Sequence, residues 1–501
     1  MAKFTGLTRY LFPMKYLWLF GLIVCFTSTA QNHHPNNGLK ESEAKYYAFT
    51  NARIVIGPSV ELEEGTLLIS GDEIVEVGKK IKLPKGTVVI DCEGKTILPS
   101  FIELRSTMGM PKEPRKPWSF RPQITSSKEG AYYWNESVHP ELSAKEIYKT
   151  DAKAAEQAQK MGFGLALSHH EDGVAQGTGM LLAMSPDPYT SVQKSTLGAF
   201  FSFSKGNSRQ SYPSSLMGSI ALMRQAIYDM QWYEKGLSDK TDLSLEALME
   251  QKQMTKFFHL EEEYEIQRAQ KVADEFSWDF VYYGTGHEYL LLDELKLKNT
   301  SVIAPLNFPI AYDVQDPYIN RHIGLSELKH WEMAPYNPKM LSDQGINMAL
   351  SAHGVSAADF WKNLQKLVEI GMKPNAILAA LTTSPAKMLG LENEYGLLQK
   401  GQKAFFTIYD HHPLEQKAQV MESWVAGERY VHEIPQMVDI RGNYNINVDG
   451  RKLPISITGS IDKPKGEIKL MDTDTTVIST KISVDQNDVV FQFNIEDGDL
   501  I

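Results

Sequence analysis

Histidines, an arginine and several carboxylates stand directly after short apolar runs in this chain, where strand ends would present them to a shared site. Arg105 and Thr107 close the segment "LPSFIELRST". His169, His170, Glu171 and Asp172 follow "FGLALS", His259 follows "KFF", His287 follows "VYYGTG" and His353 follows "MALSA". Polar residues just past the C-terminal ends of barrel strands face the place where such enzymes work. One histidine at a strand end is an ordinary polar residue. Three at successive ends are harder to dismiss. If His259, His287 and His353 all point inward, their imidazoles could hold Zn²⁺, with water as the fourth ligand. That ion would lower the pKa of the water for attack on a carbonyl. The sequence therefore admits one Zn²⁺ at an altered site, or none.

Other chemistries find less support. There is no HExxH helix, no CxxC pair and no phosphate-binding loop. "GVAQGTGM", residues 173–180, is glycine-rich but lacks the lysine and the following Ser or Thr of a nucleotide loop, so it reads as a turn or strand connection. A carbohydrate-active barrel would need two carboxylates across a cleft, for which Glu103, Glu171, Asp172 and Glu288 are the candidates. Arg105 is a permanent cation with no lone pair to donate, and its charge would oppose a nearby Zn²⁺. It is suited instead to filling the space of a metal or to binding a carboxylate.

The elements that must position these residues follow from periodicity. Residues 99–390 alternate helical patterns with short apolar strands: "SAKEIYKTDAKAAEQAQKMG" runs into "FGLALSHHEDG", and "EYEIQRAQKVADEF" into "WDFVYYGTG". Repeated helix-then-strand units over this length predict an α/β class with a parallel sheet, of a size that suits a TIM-like (β/α)8 barrel. Residues 47–98 and 391–433 read as short strands broken by Gly, Asp and Pro, a small flanking β-sandwich built from both ends of the barrel. Residues 434–501 alternate cleanly and form a separate all-β module, which reads as incomplete or as completed by another element.

The N-terminal end reads as a targeting segment. "MKYLWLFGLIVCFTSTAQ" carries a lysine, an apolar run from Tyr16 to Phe26, and small residues at Ser28 and Ala30. This is the layout of a signal peptide over residues 1–30, followed by a polar leader over 31–46, and it predicts a periplasmic or extracellular protein. No transmembrane segment is expected after its removal. Cys25 would leave with it, and Cys92 would stand without a disulfide partner. The 501-residue chain has a formal net charge of -11, which favours solubility and gives no general attraction to nucleic acid.

Several segments together resemble the amidohydrolase superfamily, in particular its imidazolonepropionase-like and dipeptidase-like branches. They are "EGTLLISGDEIVEVG", "VVIDCEGKTILPSFIELRS", "LTTSPAKMLGLENEYGLLQKGQKAFFTIYD" and "ESWVAGERYV", within residues 47–433. The resemblance implies a TIM barrel flanked by a split β-sandwich. It makes His259, in "HLEEEYEIQRAQKVADEF", the equivalent of a metal-ligating histidine. It also implies a departure. The family's first strand ends in His-X-His, and here Arg105 and Thr107 take those two places. His353 falls where the family has an aspartate that binds metal and accepts a proton. Two readings stay open. The first is an exported hydrolase of amide, cyclic amide or dipeptide C–N bonds, impaired or inactive in this copy. In it His259, His287 and His353 hold the metal, His353 accepts a proton, and Arg105 orients an anionic small-molecule or short peptide-like substrate. The second is a non-catalytic binding or scaffold domain, partnered with a second amidohydrolase-like unit or with another copy of itself.

Overall fold

The structure is a computed structural model that describes residues 46–112, 122–415, 417–432, 440–448, 451–460, 463–469, 476–485 and 488–493. The expected signal peptide, and the leader up to residue 45, lie outside the described residues. The chain enters through five strands: β1 (Tyr46–Gly57), β2 (Val60–Ser70), β3 (Glu73–Gly78), β4 (Val88–Asp91) and β5 (Thr96–Pro99). β1 pairs antiparallel with β2, and β2 with β3, while β4 and β5 lie parallel to β1.

Eight further strands form the central sheet: β6 (Phe101–Ser106), β7 (Phe163–Ser168), β8 (Ala175–Ala183), β9 (Val192–Ser202), β10 (Lys256–His259), β11 (Phe280–Tyr283), β12 (Ser301–Pro305) and β13 (Asn347–Ser351). They are hydrogen-bonded in sequence order. The sheet departs from the expected all-parallel pattern at β8, which runs antiparallel to both of its neighbours, β7 and β9. The cause is chain length. Only residues 169–174 separate β7 from β8, and only 184–191 separate β8 from β9. A parallel crossover needs about a dozen residues or more, so both connections must be hairpins. Elsewhere capped helices supply crossovers: Asp151 caps Ala152–Lys160 between β6 and β7, and Ser215 caps Leu216–Glu234 between β9 and β10, while Ser356 caps Ala357–Glu369 after the last strand of this sheet. Each side chain accepts a hydrogen bond from an otherwise unpaired backbone N–H of the first turn.

The first and last strands of this sheet meet through a side chain. Glu103 on β6 is 8% exposed. Its carboxylate accepts from Ser351 Oγ at 2.7 Å, from the Ala352 backbone N–H at 2.7 Å and from the Arg105 N–H at 2.8 Å. Burial raises its pKa from the ordinary 4.5 to about 7, against the opposing pull of those three donors and the Arg105 charge.

The chain then returns to the small sheet through β14 (Phe406–Tyr409), β15 (Val420–Val425) and β16 (Glu428–Val431), with β14 antiparallel to β5. The two halves share one core. Phe49 meets Trp424 edge-on at 4.8 Å and Phe406 at 5.0 Å, and Phe406 stacks on Trp424 at 5.7 Å. The last five strands are β17 (Gly442–Val448), β18 (Arg451–Ser460), β19 (Lys463–Lys469), β20 (Thr476–Asp485) and β21 (Asp488–Phe493). They pair in sequence order as a separate antiparallel sheet, with Ile455, Ile457 and Ile468 buried. No described helix is long and apolar enough to cross a membrane.

Candidate functional site: an arginine among histidines

Parallel register brings the strand ends together. His259 at the end of β10 pairs with Ser202 on one side and Tyr283 on the other, and Ser106 at the end of β6 pairs with Ser168. β6 also carries an irregularity: Glu103 pairs with Ala166 and Ser106 with Ser168, so β6 spends one more residue than β7 over this stretch. Such an extra residue breaks strict alternation and re-aims the neighbouring side chains. The two residues that, by the sequence resemblance, take the places of His-X-His are therefore presented differently. Arg105 is half-buried within the group of strand ends, whereas Thr107 is exposed in the following loop.

Arg105 is the hub. Its Nε–H donates to Glu171 Oε1 at 3.1 Å, and its Nη2 lies 2.8 Å from His259 Nε2. The guanidinium also sits 5.6 Å from the centre of the Tyr283 ring, whose hydroxyl donates to the Leu104 carbonyl at 2.8 Å. A guanidinium can only donate. His259 Nε2 must therefore accept, and the proton of the neutral ring must be on Nδ1. Burial, followed by the Arg105 charge, pushes the His259 pKa down to about 4. The expected outcome in ¹⁵N NMR is a neutral, Nδ1-protonated His259 at neutral pH. A protonated ring, or the Nε2–H tautomer, would contradict the hydrogen bond.

Glu171 is held low, at about 2. Burial pushes it up, and His169, Arg105 and His259 outweigh that push. At neutral pH only Arg105 among these three carries charge, because burial also drives His169 down to about 3. His169 is 1% exposed, stacked on Phe200 at 3.7 Å and on Tyr283 at 5.8 Å. Both of its ring nitrogens are buried without a hydrogen-bond partner. His353 joins the same group: burial and then Arg105 lower its pKa, opposed by Glu171 and by a hydrogen bond with the Arg105 backbone.

His287 has other company. Its ring stacks on His330 at 3.5 Å and lies 6.2 Å from Tyr289, and its Nδ1 is 3.3 Å from Thr285 Oγ1. The structure thus gathers Arg105, Glu171, His169, His259 and His353, and sets His287 against His330. Among the described residues, no three His, Cys, Asp or Glu side chains are grouped so as to hold a metal ion. Of the carboxylates that a carbohydrate-active site would use, Glu171 is paired with Arg105 in this group and the other three are engaged elsewhere. Glu103 ties β6 to β13. Asp172 accepts from the Asn207 N–H at 2.7 Å and lies 3.6 Å from His139 Nε2. Glu288 accepts from the Thr285 and Gly286 N–H groups and from Asn337 Nδ2.

Tyr283 and the Arg105–Glu171 pair escape a reading strand by strand. Tyr283 looks like one more core aromatic in "FVYY". A signal for the pair does exist: an arginine at one strand end calls for a carboxylate at a neighbouring one, and "SHHED" supplies it.

Comparison with known proteins bears on this arrangement. A model of the amidohydrolase family matches residues 279–441, about one third of the chain. No protein of curated function matches the sequence. Among solved structures, an amidohydrolase from Thermotoga maritima MSB8 superposes with a TM-score of 0.62 at 22% identity, over 77% of this chain and 100% of the other. The chain has an amidohydrolase fold. Two weaker superpositions are a Xaa-Pro dipeptidase with methionine bound in its active site and the A. niger ochratoxinase. The first has a TM-score of 0.46 at 15% identity, over 77% of this chain and 100% of the other. The second has a TM-score of 0.45 at 14% identity, over 78% and 96%. Arg105, His259 and His353 stand at the strand ends where the sequence resemblance led to an expectation of metal ligands.

Proposed function

We propose that this chain is an exported amidohydrolase-fold protein in which the Arg105 guanidinium stands in the position of the metal, so that the site binds a ligand without metal-dependent hydrolysis. The observation that carries this reading is the 2.8 Å contact between Arg105 Nη2 and His259 Nε2. It commits the lone pair that would ligate an ion and brings a fixed positive charge to the same point. The donor set agrees. Glu171 is paired with Arg105, and His287 is stacked on His330. The residues present therefore do not fit the family's two-metal centre, nor a three-histidine zinc site. In this reading the eight-stranded sheet works as a closed barrel, its first and last strands held by Glu103. Export rests on the apolar segment before Ala30. Relation to the imidazolonepropionase-like and dipeptidase-like branches rests on the sequence segments of the small sheet.

Thermal unfolding with zinc tests the proposal. A specific ion that binds only the folded state adds about 2.7 kcal/mol of stability at a concentration ~100 times its Kd. The expected result is no stabilisation by zinc and no loss on treatment with a chelator. A zinc-dependent rise that disappears in His259→Ala would overturn it.

A further inference from the structure

We infer that the free edge of the Arg105 guanidinium is a carboxylate-binding fork, and that the ligand of this site is a small molecule or peptide end bearing a carboxylate. The inference rests on the reading above, that Arg105 replaces the metal. A guanidinium carries five N–H groups in a rigid plane. Nε–H is spent on Glu171, and one hydrogen of Nη2 on His259. The second hydrogen of Nη2 and both hydrogens of Nη1 have no protein acceptor among the described residues. In this proposal His259 takes the Nη2 hydrogen beside Nε–H, which leaves one hydrogen from each of Nη1 and Nη2 as the parallel pair that matches the two oxygens of a carboxylate. Arg105 Nη1 is not among the fully buried unpaired polar atoms, and the Arg105 side chain keeps 20% of its exposure.

Charge selects among anions. Glu171 already balances Arg105 from the Nε edge. A planar monoanion would add one negative charge to a neutral pair, whereas a phosphate dianion would add two beside the half-buried Glu171. His169 is an independent sign of a ligand. It is buried within electrostatic reach of Arg105, Glu171 and His259, and neither ring nitrogen has a partner. Buried polar atoms left unpaired in this way call for an unseen partner.

The test is calorimetric titration of the full chain with N-acetylglycine and with its uncharged counterpart N-acetylglycinamide, at neutral pH and low salt. The acid should bind, and the amide should bind at least about tenfold more weakly. Arg105→Lys keeps the charge but loses the fork, and should weaken the acid at least about tenfold. Glu171→Gln removes the competing carboxylate and should tighten the acid several-fold; it keeps the fork, so it carries the test if Arg105→Lys does not fold. Metal is measured in the same samples. In metal-free protein, absent binding, or equal binding of acid and amide, overturns this inference and leaves the proposed function standing. Acid binding that requires zinc and vanishes with chelator overturns both.

Discussion

Arg105→Ala is expected to cost the protein about 3 kcal/mol and to weaken the acid dependence that Glu171 gives its stability. Removing one member of a poorly solvated ion pair leaves the other as an uncompensated charge, typically worth ~3–5 kcal/mol; the residual exposure of this pair argues for the lower end. In the intact protein Glu171 is depressed to about 2, so its contribution to stability is present above the ordinary carboxylate pKa and is lost as pH falls toward 2. Without the guanidinium, burial is still opposed by His169 and His259, and the Glu171 pKa rises from about 2. The variant therefore loses less stability than the intact protein as pH falls toward 2. Adding Glu171→Gln to Arg105→Ala should restore part of the loss, with a coupling of about 1–3 kcal/mol. Urea unfolding of the four proteins at two pH values reads this. Additive effects would show that the 3.1 Å contact does not contribute.

Glu103→Gln should destabilise the protein by about 1–3 kcal/mol near pH 8, and by more near pH 5. The amide presents N–H on one side, and both sides face a backbone donor: Arg105 N–H at one oxygen and Ala352 N–H at the other. Either orientation therefore breaks a buried hydrogen bond and sets two donors against each other. The pH dependence follows from the raised pKa. A carboxyl whose pKa climbs from 4.5 to about 7 on folding contributes stability that is full below 4.5 and fades as pH rises through 7. A shift of that size corresponds to about 3 kcal/mol. Glutamine has no such titration, so the gap to the intact protein widens toward acid. A gap that is constant with pH would mean that Glu103 does not titrate in this range.

Much of the architecture was legible because periodicity and turn residues act locally. The helix-then-strand rhythm over residues 99–390 gives the crossovers, and the apolar segments on either side of that stretch give the small sheet whose halves meet at Phe49, Phe406 and Trp424. The direction of β8 was legible only from connection lengths, since its side-chain pattern is that of any buried strand. The positions of His259 and His353 could be read from the strand ends that carry them. The exposure of Thr107 could not, because the extra residue in β6 is a matter of pairing with β7. Nor could the stacking of His287 on His330, which depends on the loop after β11 and a helix far along the chain. The engagement of Arg105 with both Glu171 and His259 lies between these cases. Its charge announces the need for partners, and only the placing of the ends of β6, β7 and β10 decides which partners it finds.

The most direct measurement is metal per chain, by elemental analysis of the full chain purified without chelator and then supplied with zinc, beside the His259→Ala variant. The account predicts far less than one ion per chain in both proteins, because the lone pair of His259 is already committed to Arg105. About one ion per chain in the intact protein, lost in His259→Ala, would contradict it and place a metal where the guanidinium is proposed to stand.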